Sequence, residues 1–129
     1  MAGESDLARL LQSMAPVLSL EAWGFAPWTG RVLPDTAFAL IREAEGMTLI
    51  APAQVLKALA LDPGPEMARI SLTVHSSLEA VGLTAAISAA LAVEGISANV
   101  VAGYHHDHIF LPWARREDAM AALWQLTRR

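Results

Sequence analysis

The sequence predicts an α+β fold in which βαβ units pack helices against one face of a sheet. Three observations carry this expectation. Alternation at Ile70, Leu72 and Val74, the mark of a strand buried on one face, gives way to helical spacing at Leu83, Ile87 and Leu91. Two apolar runs, 97–103 and 108–111, flank the polar turn Tyr104-His105-His106-Asp107, as in a hairpin. Between the halves stands Asp62-Pro63-Gly64-Pro65-Glu66, which can continue neither a helix nor a central strand.

Taken in order, Leu7, Leu10, Leu11 and Met14 fall at i, i+3, i+4 and i+7 behind Ser5 as N-cap, which predicts a short amphipathic helix ended by Pro16. Residues 17–28 hold Trp23, Phe25 and Trp28 in extended segments interrupted by Gly24 and Pro27, and 30–35 reads as a loop. Residues 38–44 and 47–50 predict a hairpin around Glu45-Gly46, and 53–61 a helix with Val55, Leu56 and Leu59 on one side. After the Pro-Gly punctuation come a strand ending at Ser76-Ser77 and an alanine-rich helix over 82–94 stopped by Gly95. The second hairpin and a helix over 115–127, with Ala119, Met120, Leu123 and Leu126 inward, close the chain.

The second half thus reads β-α-β-β-α, one strand short of the ferredoxin-like βαββαβ unit. The expected domains are 1–63, a degenerate N-terminal copy, and 66–129, the two sharing a sheet. The missing sixth strand leaves an expected open edge, which together with the alanine-rich helix predicts a homo-oligomer.

Composition narrows the function. A net charge of −4 provides no basic stripe to neutralise phosphates, so nucleic acid is not an expected partner. The absence of cysteine removes disulfides, thiolate metal sites and thiol nucleophiles. The acidic N-terminus does not read as a signal peptide, and no apolar run approaches the roughly 20 residues that span a bilayer, so a cytoplasmic protein with no membrane partner is expected.

The segments Gly82-Leu83-Thr84-Ala85-Ala86-Ile87, Glu94-Gly95-Ile96-Ser97 and Tyr104 to Pro112 resemble the ACT domain family. The pattern is a glycine opening the first helix, a Gly-Ile-Ser entry to the next strand, then Tyr-x-x-Asp before an apolar strand. The hairpin 42–50 resembles the matching piece of a first ACT unit, so the chain is similar to small bacterial tandem ACT-like proteins and to the ACT units of animal cytosolic arginine sensors. The resemblance implies a regulatory module that binds an amino acid at an interface between paired units. It places one wall of the site at the loop after the first strand, here residues 76–84, in which Ser77-Leu78-Glu79-Ala80-Val81-Gly82 replaces the familiar Asp-x-x-Gly.

The implied ligand-binding residues are Ser76, Ser77, Glu79, Val81, Gly82, Leu83, Thr84, Tyr104 and Asp107. A helix N-terminus offers unpaired amide donors and partial positive charge to a carboxylate, while Glu79 or Asp107 meets an ammonium. The competing reading is ordinary capping of the helix by Ser77 or Glu79. A bulky side chain at Gly82 is expected to block entry without destroying the fold. His105, His106 and His108 suggest a metal-binding module as an alternative, although alternate strand residues face opposite ways and one chain aligns no more than two of them. A ligand-free oligomerisation domain is the third reading. Glu43 and Glu45 read as a solvated turn, no nucleophile elbow, phosphate loop or His-Glu-x-x-His is present, and neither an enzyme nor a cofactor is expected.

Overall fold

A computed structural model describes residues 6–74 and 81–128. They form two compact units. One, here the inserted unit, is Leu20–Met67; the other, the C-terminal unit, joins residues 6–19 to 68–128.

The C-terminal unit opens with helix α1 (Leu7–Ser13), capped by Asp6, whose carboxylate accepts the Arg9 amide at 3.2 Å. Ser5, the expected cap, lies outside the described residues. Strand β1 (Pro16–Leu18) follows, because Pro16 cannot extend the helix and its fixed φ suits an extended edge. After the inserted unit come β5 (Met67–Leu72), α3 (Leu83–Val93), β6 (Asn99–Ala102) and β7 (Asp107–Pro112). A 3₁₀ turn at Trp113–Arg115 then leads into α4 (Arg116–Thr127). The strand order is β1-β5-β7-β6, with β1 and β5 antiparallel in the register Pro16↔Leu72 and Leu18↔Ile70, and β6 and β7 forming the expected hairpin.

This is the ferredoxin-like order with β1 as its fourth strand. The expectation of an open edge is therefore corrected: β1, from the other end of the chain, already occupies the side of β5 that was to pair with a second copy. Strand β5 also ends at Leu72, earlier than the alternation suggested, while Val74 still packs on the core and His75, Ser76 and Ser77 lie outside the described residues.

The core lies between this sheet and its helices. Ala68, Ile70 and Leu72 of β5 and Ile109 and Leu111 of β7 meet Leu83, Ile87 and Leu91 of α3 and Ala119, Leu123 and Leu126 of α4. Each fully buried leucine or isoleucine contributes about 2 kcal/mol relative to exposure. Leu10 and Met14 belong to the same cluster, which ties α1 to this unit.

The inserted unit contains β2 (Trp23–Trp28), β3 (Ala39–Glu43), β4 (Gly46–Pro52) and α2 (Ala53–Ala58), with strand order β3-β4-β2 and Met67 paired to Trp23. It has the ferredoxin-like order, but the stretch 29–38 is a loop where the first helix would stand. Sequence reading expected interruptions at Gly24 and Pro27, yet β2 is continuous. Gly24 is needed because a Cβ there would lie 2.7 Å from the Pro63 Cβ and 2.9 Å from the Leu56 Cδ1. Pro27 pairs with Thr48 of β4, and Met67, the residue paired on the other edge of β2, stands at Trp23, so the missing amide at Pro27 interrupts no ladder with it. Ala26, Leu49 and Ala51 pack under Leu56 of α2.

Candidate functional site

A hydrogen bond of 2.7 Å between the Ser71 hydroxyl and His108 Nδ1 joins the last turn of β5 to the beginning of β7. The loop leaving β5 and the hairpin preceding β7 therefore emerge at one end of the sheet. Helix α3 must begin at that end too, since it connects the finish of β5 to the start of β6, and β6 runs back toward the hairpin. Topology thus brings the start of α3 and the residues 103–107 to one side of the C-terminal unit.

Gly82 is the N-cap of α3, with φ of 97° in the left-handed region and no side chain to close the helix's first amides. Its carbonyl accepts the Ala86 amide at 2.9 Å. Beside it Val81 and Thr84 are exposed, whereas Leu83 is buried in the core and can offer a ligand only its backbone. The expectation that a valine at Gly82 would leave the fold intact is corrected here. That φ is one a β-branched residue rarely adopts, and a Cβ would come 3.0 Å from the Leu7 Cδ2. Ser76, Ser77 and Glu79 lie outside the described residues.

On the hairpin, the Gly103 amide donates to the His106 carbonyl at 2.9 Å and closes the turn. Tyr104 is 63% exposed and stands edge-on to His105, with ring centroids 5.1 Å apart. Asp107 is half-buried at the first position of β7, paired with Ala102.

Sequence reasoning did not assign Ser71 and Arg69 to this end. The signal was the polar half of the alternation in β5: with Ala68, Ile70 and Leu72 turned to the helices, Arg69 and Ser71 must occupy the opposite face, together with His108. Burial pushes the His108 imidazole below its ordinary value, the positive charge of Arg69 and then His106 pushes further, and Asp107 opposes them. Among the described residues no group of three or more His, Asp or Glu side chains is placed to hold a metal ion, so the metal alternative for His105, His106 and His108 gains no geometric support.

Models of the ACT domain match residues 68–125 and residues 2–64. The chain belongs to the ACT domain family. It carries two such domains in tandem, with ferredoxin-like strand order in each unit. A protein of unknown function from Vibrio cholerae, described as a possible transport protein, is 43% identical; the match covers 94% of this chain and 95% of that one, with a TM-score of 0.81. An Agrobacterium tumefaciens protein is 16% identical, covering 83% of this chain and 84% of that one, with a TM-score of 0.65. The regulatory subunit of aspartate kinase from Thermus thermophilus, in its ligand-free form, is 13% identical over 86% of this chain and 95% of that chain, with a TM-score of 0.61. No match was found among curated proteins. Among the described residues, no helix of this ACT protein is long and apolar enough to cross a membrane.

Proposed function

We propose that this tandem ACT protein is a non-enzymatic regulatory or sensor module that binds a small ligand of amino-acid chemistry at the end of the C-terminal unit where α3 begins. The observation that carries the reading is the convergence, by topology, of the start of α3, where the N-cap Gly82 has no side chain of its own, with the Asp107 carboxylate on the facing hairpin. Amides and the positive dipole end of an 11-residue helix suit an α-carboxylate; a carboxylate on the opposite wall suits an α-ammonium. Regulatory subunits of aspartate kinase with the same fold support a regulatory role.

A second copy of the chain forms the rest of the proposed assembly. With the edge of β5 occupied by β1, support for a homo-oligomer comes instead from the helical side, where exposed Val93 lines a recess with Ala86, Ala89 and Ala90 of α3. Light scattering that gives 13.8 kDa at micromolar concentration excludes this assembly.

Thermal unfolding of the full chain, screened against the amino acids, tests the ligand. A compound at a hundredfold excess over its dissociation constant adds about 2.7 kcal/mol of stability. Asp107→Asn should then weaken that compound while leaving the melting temperature of the free protein nearly unchanged, because shape and hydrogen bonding are kept and charge is lost. Absence of any stabilising amino acid, or equal affinity in Asp107→Asn, rejects the site.

A further inference from the structure

The inserted unit has a second recess, unrelated to the end of the sheet described above. Cross-strand pairing puts Phe25 and Pro27 of β2, Thr48 and Ile50 of β4, and Ile41 and Glu43 of β3 on the sheet face opposite to that packed under Leu56. A groove of about 590 Å³ lies on this face, floored by Phe25, Pro27 and Ile41 and bounded at the hairpin end by Glu43 and Glu45. Ile41 is 41% exposed, a large aliphatic side chain left open on the solvent-facing end of β3.

We propose that this groove binds a small organic cation, an ammonium or guanidinium carried on an apolar body, with the body on Phe25 and Ile41 and the charge at Glu43 and Glu45. Both signs of chemistry are in the lining: apolar side chains form the floor, two carboxylates form one end, and no Lys or Arg lines it. The Glu43 carboxylate is not swinging freely. It accepts a hydrogen bond from the Thr48 hydroxyl, which fixes it beside the apolar row while leaving it exposed to solvent. The size is within the range of small-molecule sites, roughly 300 to 1,000 Å³, which favours a discrete ligand over a folded partner.

The test uses amide chemical shifts of the intact chain titrated with phenethylamine, which is protonated at neutral pH, and with phenethyl alcohol, its uncharged analogue. The amine should perturb the amides of Phe25, Ile41 and Thr48, and the alcohol should bind several-fold more weakly. Glu43→Gln with Glu45→Gln should lower affinity for the amine by about fivefold at low ionic strength, and wild-type affinity should fall with added salt. Both glutamates are exposed, and the spectrum of the ligand-free double variant shows directly whether it is folded. If that spectrum has collapsed, the amine-to-alcohol ratio and its salt dependence in the wild type decide alone. Equal binding of alcohol and amine, perturbation confined to other residues, or unchanged affinity in a folded double variant overturns the proposal.

Discussion

The Ser71 hydroxyl and the His108 Nδ1 lie 2.7 Å apart on neighbouring strands of the C-terminal unit, bridging the end of β5 and the start of β7. The hydrogen bond is part-buried, so each partner has given up water for the other. Removing the hydroxyl with Ser71→Ala should cost about 1 kcal/mol, measured by urea denaturation, because the imidazole nitrogen loses its acceptor or donor partner without gaining solvent. An unchanged midpoint would show that the contact contributes nothing.

His108 gives the protein a pH dependence whose sign is fixed. Burial first, then Arg69 and His106, hold its folded-state value below 6.5, so the unfolded chain takes up a proton at a pH where the folded chain does not. The contribution to stability is complete above the unfolded value and is lost as pH falls through 6.5 toward the lower folded value. The melting temperature should therefore drop from pH 7 to pH 5 (about the window in which histidine titrates), and His108→Gln should flatten that drop. Parallel profiles for the two proteins would remove His108 as the cause.

Gly82 should behave as a structural residue. At φ of 97° an alanine is strained by about 1 to 2 kcal/mol, and its Cβ would stand 3.0 Å from the Leu7 Cδ2. Gly82→Ala should lower stability by that amount or slightly more in chemical denaturation. A neutral outcome would mean that the start of α3 relaxes to another conformation.

The division of the chain can be tested by cutting it. A fragment of residues 66–129 lacks β1, the neighbour of β5, and lacks Leu10 and Met14, which are 0% and 1% exposed in the core shared with α3 and α4. Such a fragment should be molten or unfolded, with poorly dispersed amide resonances, although it contains β5, α3, β6, β7 and α4 whole. A well-dispersed spectrum would show that α1 and β1 are dispensable. Leu10→Ala in the intact chain should cost about 2 to 4 kcal/mol by the cavity it leaves.

Much of the fold was legible because its elements carry strong local periods. Leu83, Ile87 and Leu91 predicted the buried face of α3 and remain its buried residues. Gly95 stops that helix, and the Glu45-Gly46 and His105-His106 turns both lie in hairpins, since turn chemistry acts over a few residues and needs no distant partner. Strand β2 was harder. Its Gly24 and Pro27 look like breakers in isolation, and only the approach of Pro63 and Leu56 explains why glycine stands there.

For the candidate site, the sequence offered residues on both proposed walls. Gly82 and Asp107 were identified from the resemblance to ACT domains, while Arg69 and Ser71 were not, because a polar residue on the open face of a strand looks the same whether it meets water or an imidazole. By itself the sequence determined the four helices, the two hairpins and the tandem ACT identity, all of which depend on residues close together in the chain. Only the tertiary structure decided that β1 completes the C-terminal unit, that Leu10 and Met14 belong to its core, and that Ser71 meets His108. These are contacts across tens of residues, chosen by which apolar faces and strand edges can be buried together, and no local period records that choice.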